Sequence, residues 1–117
     1  MEINKRAIGN AGEDIVSAYL IKNNIIILDR NFSSKHGEID IIGMDGDYLV
    51  FFEVKYRKDL KYGYPLEAVT KAKQKHIIKA AQYYLYYYHY PEDTFIRFDC
   101  IGILDNEIEW VKNAFGI

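Results

Sequence analysis

Gly37-Glu38-Ile39-Asp40-Ile41-Ile42, followed across a short turn by Phe51-Phe52-Glu53-Val54-Lys55, is the stretch that decides how this chain reads. Each piece sets acidic residues inside an otherwise apolar strand pattern. Ionised side chains in a small core are costly unless they are paired or bound to metal. Asp45-Gly46 between the pieces is a hairpin turn signal. It makes Glu38–Met44 and Tyr48–Tyr56 neighbouring strands, and apolar residues on both faces of the second suit a central position. Residues two apart in an extended strand share a face, so Glu38 projects with Asp40 and Glu53 with Lys55. Asp40 and Glu53 can then converge on one cation.

Outward from this hairpin the elements follow one another without a linker or a repeat. Ile8, Ala11, Ile15 and Ala18 recur at helical spacing and predict an amphipathic helix from about Arg6 to Lys22, stopped at Asn23-Asn24. Ile25–Leu28 is a β-branched run that reads as a strand, and the polar segment Asn31–His36 reads as a loop. On the other side, Lys58–Tyr64 reads as a mobile loop, and Pro65 suits the opening of a helical segment. A long helix is predicted over Thr70–Tyr88, with Ile77, Ala81, Tyr84, Leu85 and Tyr88 inward and Pro91 just past its end. Phe95–Ile103 and Glu107–Val111 complete an α-β-β-β-α-β-β order, which predicts an α/β domain with a mixed sheet and helices on its faces.

The donor set selects the chemistry. Oxygen ligands without a neighbouring His or Cys suit Mg²⁺ or Mn²⁺ rather than zinc. Such an ion polarises a phosphoryl oxygen and acidifies an attacking water. Lys55 can orient that water or stabilise transition-state charge. The plain alternative is an Asp-Lys-Glu ion-pair network, but buried ion pairs are weak devices for stability. Glu13 precedes Val16 and Leu20 by three and seven residues, on the flank of an apolar stripe. It can complete the metal site directly or through water, or lie at the surface; Asp14 points about 100° away. His36, His76 and His89 show no ligand spacing.

At 117 residues, half of them hydrophobic, the chain has the size of one domain with one real core. It contains no apolar run long enough to cross a bilayer and no apolar segment after Lys5-Arg6, so neither a membrane location nor a secretory signal is expected. The single cysteine, Cys100, reads as a small buried apolar residue, which suits a reducing cytoplasm. Net charge is only −2, yet eight basic residues face two acidic ones between Lys55 and Lys79. That segment carries +6 and the remainder −8. Acids that hold a cation beside lysines that hold flanking phosphates are what a phosphodiesterase needs. A solvated helix face is the competing use of the helical lysines. The tyrosines at 83, 84, 86, 87, 88 and 90 cover more than one helix face and suit stacking on unpaired bases, or a packing or self-association face.

Several further pieces join the two acidic strands: Gly12-Glu13, Arg30-Asn31, Phe52-Glu53-Val54-Lys55-x-Arg57, Ala68-Val69-Thr70-x-x-Lys73, Arg97-Phe98-Asp99 and Asn113-Ala114-Phe115. Together, through nearly the whole chain, they resemble the small YraN-like (UPF0102) family of uncharacterised proteins, known as predicted endonucleases. That family is similar to the PD-(D/E)xK nuclease superfamily and, within it, to archaeal Holliday junction resolvases. The resemblance implies a restriction-endonuclease-like mixed β-sheet flanked by helices and Mg²⁺- or Mn²⁺-dependent cleavage of DNA, branched or structured DNA included. It carries Asp40 over as the motif aspartate, Glu53-Val54-Lys55 as (D/E)xK, and Glu13 as the helix glutamate. The expected catalytic set is therefore Glu13, Asp40, Glu53 and Lys55. Asp40, Glu53 and Glu13 are the expected metal ligands, and Lys73, Lys71 and Arg57 the expected DNA contacts. A homodimer would suit a branched, two-fold substrate. The rival expectations are a catalytically inactive nucleic-acid-binding module with the same fold and a protein-interaction subunit.

Overall fold

The computed structural model describes residues 5–59, 63 and 65–117. The chain forms α1 (Lys5–Lys22), β1 (Ile26–Ser34), β2 (Gly37–Asp45), β3 (Tyr48–Arg57), a short 3₁₀ turn (Pro65–Ala68), α2 (Lys71–Tyr87), β4 (Ile96–Leu104) and β5 (Glu107–Phe115). The five strands lie in sequence order in one sheet. β3 and β4 run parallel, joined by the crossover through α2, and every other neighbouring pair is antiparallel. The expected α-β-β-β-α-β-β mixed sheet with a helix on each face is therefore the observed one. Most of the expected Lys58–Tyr64 loop lies outside the described residues. Among the described residues no helix is long and apolar enough to cross a membrane.

β3 is apolar on both faces because it has a core on both. Leu49 and Phe51 pack under α2 with Ile42, Ile77, Ala81 and Phe98, while Val50 and Phe52 pack under α1 with Val16, Leu20, Ile41 and Ile101. Alternate burial along one strand is the direct consequence of the two-residue period.

α1 buries a different stripe from the predicted one. Ile15 is 51% exposed and Ala18 is also exposed, whereas Val16 and Leu20 are fully buried. The Ile8 and Ala11 side chains lie outside the described residues. The helix end fixes the choice. Asn24 takes φ 68°, Asn24 N–H donates to Ile21 O, and Ile25 N–H donates to Leu20 O. This double closure with a left-handed residue brings Ile25 against Leu20, so both enter the same core. Gly12 is buried on that stripe, where an added Cβ would stand 3.8 Å from Ile103 Cδ1 and Tyr56 Cβ.

β1 and β5 both run further than their composition predicts. Asn31–Ser34 belongs to β1, because its backbone pairs with β2 through Phe32↔Ile39, Ser33↔Glu38 and Ser34↔Gly37. An edge strand keeps its polar side chains in water, so polarity did not exclude pairing. β5 continues past Val111 to Phe115, whose ring stacks on Phe98 with centroids 5.1 Å apart. Tyr88, expected inward, is exposed. It caps α2, and the next residue, His89 at φ 58°, turns the chain so that Tyr90 N–H donates to Leu85 O. Ala80 is buried in its stead.

Candidate active site

β2 and β3 pair from Asp45↔Tyr48 to Ile41↔Phe52 and then part, while β3 stays paired with β4 as far as Arg57↔Leu104. The parting leaves Val54 N–H without a strand partner, and it donates to Asp40 Oδ2 at 2.8 Å. The side chain thus closes the fork that the backbone opens. Strand alternation breaks at the same residue: Ile39 lies in the core under α2 and Ile41 in the core under α1, although they are two apart. The β1–β2 register passes from Arg30↔Ile41 to Phe32↔Ile39 around Asn31, which takes φ 54°. Glu38 and Asp40 are therefore not a regular same-face pair. Glu38 is exposed and accepts from Ser33 Oγ at 3.1 Å, yet both acids line one cleft.

Glu53 is buried on β3, lines the same cleft as Asp40, and its charge acts on the Asp40 carboxyl. Burial and then the Glu53 charge push the Asp40 carboxyl up to about 7, against the pull of the Val54 amide. Two lysines answer Glu53. Lys73 Nζ lies 2.9 Å from Glu53 Oε1, and Lys55 Nζ lies 3.4 Å from the same oxygen. Lys55 follows Glu53 by two residues on one strand. Lys73 arrives from α2, whose first turn is set by Thr70: its hydroxyl caps the helix by accepting from Lys73 N at 3.2 Å. Thr70-x-x-Lys73 is thus a cap joined to a site lysine.

The two ammonium groups do not titrate alike. Desolvation, followed by the hydrogen bond and charge of Lys73, holds Lys55 below the usual lysine range. Desolvation opposes the Lys73 charge too, but the contacts with Lys55 and Glu53 and the charge of Asp40 outweigh it and raise Lys73. Lys73 is the standing cation and Lys55 the group more ready to give up its proton.

Glu13 stands behind this pair on α1 and does not line the cleft. Its side chain is 12% exposed, and Oε2 is buried without a hydrogen bond, 3.8 Å from Arg30 Nη2. Arg30 bonds instead to the exposed Asp14 at 2.7 Å. Burial raises the Glu13 carboxyl; the Asn31 amide and Arg30 act the other way, and Asp14 and Glu38 reinforce the rise. Among the described residues no three His, Cys, Asp or Glu side chains gather closely enough to enclose an ion. The fit to a cation rests on the Asp40–Glu53 pair, with the orphaned Glu13 oxygen as a further negative group beyond it. That fits Mg²⁺, which keeps several waters and takes one or two carboxylates plus substrate phosphate.

The cleft itself measures about 740 Å³. One wall is the β1–β2 turn, Ser34-Lys35-His36-Gly37, and the other is the α2 face with Lys73, His76 and Lys79. Gly37 is required there: φ is +138°, and an added Cβ would lie 3.5 Å from His76 Cβ. Lys35 and His76 are cleft residues that spacing did not identify, because they meet only when the turn folds against the helix; Lys79 belongs to the basic band read from the sequence. Lys71 and Arg57 line no part of the cleft.

Two remaining motifs serve the sheet. Asp99 is wholly buried and accepts from Arg97 Nε and Nη2, Trp110 Nε1 and Asn113 N, each at 2.9 Å. Arg97 reaches on to Asp45 at 2.8 Å. One carboxylate thereby ties β4 to β5 and, through Arg97, to the end of β2.

The model of the uncharacterised protein family UPF0102 matches residues 12–103, which contain every site residue described above. The chain belongs to the UPF0102 family. It is 46% identical over 111 residues to a UPF0102 protein of Fusobacterium nucleatum, covering 95% of this chain and 92% of the relative. It is 48% identical over 116 residues to one of Clostridium tetani, covering 94% of each. With the relative from Lachnoclostridium phytofermentans the identity is 43% over 113 residues, covering 97% and 96%. In this UPF0102 chain the Gly37–Ile42, Glu53–Lys55 and Thr70–Lys73 pieces converge on the cleft, whereas Arg97–Asp99 and Asn113 hold the sheet together.

Proposed function

We propose that this chain is a divalent-metal-dependent nuclease that hydrolyses phosphodiester bonds in DNA. The observation that carries the reading is the placing of Asp40 and the buried Glu53 together at a strand fork, in a cleft walled by lysines. A close carboxylate pair is an unfavourable arrangement that a cation relieves. Asp40 and Glu53 would hold Mg²⁺ or Mn²⁺, which supplies charge at the phosphoryl oxygen and a more acidic water. Lys55 orients the water and stabilises negative charge in the transition state. Lys73, Lys79 and Lys35 hold the phosphates on either side. Glu13 adds negative potential behind Asp40. The likeness of the sequence motif to the PD-(D/E)xK superfamily and to archaeal Holliday junction resolvases supports the same chemistry, and makes branched DNA and a homodimer the first substrate and assembly to examine.

The test is a cleavage panel of linear, single-stranded, flapped and four-way DNA, each with Mg²⁺ and with Mn²⁺. Cleavage that needs the metal and vanishes in Asp40→Asn supports the reading. No cleavage of any member, with either ion, overturns it. One contact favours a second reading. The Lys73 ammonium at 2.9 Å already neutralises Glu53, as it would in a nucleic-acid-binding domain without chemistry. DNA binding that neither needs metal nor leads to cleavage would select that alternative.

A further inference from the structure

We propose that the flank of α2 leading out of the cleft is a track for single-stranded DNA, a base stacking on Tyr87 at the outer end of a ring ladder that Tyr83 supports. The inference rests on the nuclease reading and names its substrate more closely: DNA with an unpaired segment beside the scissile phosphate. His76, Lys79, Tyr83 and Tyr87 follow one another at steps of three and four residues and so form one narrow stripe. His76 and Lys79 line the cleft. At 1.5 Å rise per residue, Tyr83 and Tyr87 lie about 6 and about 12 Å beyond Lys79 along the helix.

The rings are set for stacking. Tyr83 and Tyr87 have centroids 6.0 Å apart and planes 27° apart, and Tyr83 relates to Phe32 of β1 in the same way, at 6.1 Å and 29°. Phe32 packs against the core, so the inner end of this ladder of three rings is anchored. The outer ring, Tyr87, is 56% exposed, with Tyr88 set edge-on to it at 4.9 Å. An unpaired base offers a free π-face to such a ring, whereas the faces of paired bases are covered by their neighbours. Lys79 within the stripe and the exposed Lys75 beside it supply charge for the backbone that links those bases. The same lysines disfavour a two-fold contact between copies, which would set like charges against one another.

The experiment measures affinity by fluorescence anisotropy in EDTA, with a labelled single strand and a hairpin duplex of equal length. It compares the intact chain with Tyr83→Ala/Tyr87→Ala and with Tyr83→Phe/Tyr87→Phe. Stacking on one aromatic ring corresponds to about 5- to 150-fold in affinity per base. The alanine pair should weaken single-strand binding about 10-fold or more, leave duplex binding within about 2-fold, and be rescued by the phenylalanine pair. Unchanged single-strand affinity, an equal loss for both DNAs, or a phenylalanine pair as weak as the alanine pair would overturn the track. So would altered self-association on a sizing column with DNA binding intact, which would make the face a contact between copies. If the intact chain binds and cleaves DNA while the alanine pair is neutral, only the track fails. If the intact chain binds no DNA in EDTA and cleaves none with Mg²⁺ or Mn²⁺, the nuclease reading fails with it.

Discussion

Asp40 does two things with one carboxylate. It accepts the amide hydrogen bond that β2 gives up where it leaves β3, and burial, then the Glu53 charge, keeps its proton on up to about pH 7. An unfolded aspartate loses that proton near 3.8. Between these values the folded chain binds a proton that the unfolded chain has released, so stability falls as pH rises. The contribution is fully present below about pH 4 and lost by about pH 7, on the order of a few kcal/mol. Asp40→Asn keeps an acceptor for Val54 and removes the charge. In EDTA the variant should show a flatter stability profile from pH 4 to 8 by urea unfolding, and should exceed the parent above pH 7. Parallel profiles would mean that Asp40 is ionised in the folded chain. Lys55→Ala belongs to the same scale. Removing a single charge-stabilising donor costs about 10²–10³ in rate, so single-turnover cleavage should fall by that factor while Mn²⁺ affinity is retained. Undiminished cleavage would make Lys55 a structural partner of Glu53.

At the scale of elements, the division of labour is visible in Asp99. It accepts four hydrogen bonds at zero exposure, and the Arg97 it holds also reaches Asp45. Asp99→Ala leaves the Arg97 charge and the Trp110 indole without their buried partner. Breaking a buried pair from one side costs roughly 3–5 kcal/mol, so a large fall in thermal midpoint is expected, and a shift of only a degree or two would contradict the account. How legible each element was follows from its partners. β3 read correctly because both of its faces are apolar, a property of the strand itself. That the two acidic motifs meet in one cleft was legible because ionisable residues in an apolar strand violate burial. The stripe on α1 did not, since Ile15 and Val16 head two equally regular series, and only the turn that brings Ile25 to Leu20 decides between them. The extent of β1 and the fork at Asp40 were illegible for one reason: both depend on where strand pairing starts and stops, which side-chain pattern does not specify. Lys73 was read as a phosphate contact, and the structure sets it on Glu53 because Thr70 caps the helix.

Over the whole molecule, charge is segregated rather than large. A net −2 conceals a basic band of which Lys73 and Lys79, joined by Lys35, meet the acidic pair along one cleft between the β1–β2 turn and α2. That geometry brings a polyanion to the same place as the cation that would act on it. The claim at the centre is that Asp40 and Glu53 hold the ion. Crystals of the intact chain soaked in Mn²⁺ and measured at the manganese edge test it most directly. The account predicts one anomalous peak between the Asp40 and Glu53 carboxylates, with the Lys73 amine withdrawn from Glu53, and no peak in Asp40→Asn crystals treated alike. Anomalous density only elsewhere, or a Lys73–Glu53 contact that persists at saturating Mn²⁺ with the pair empty, would contradict it.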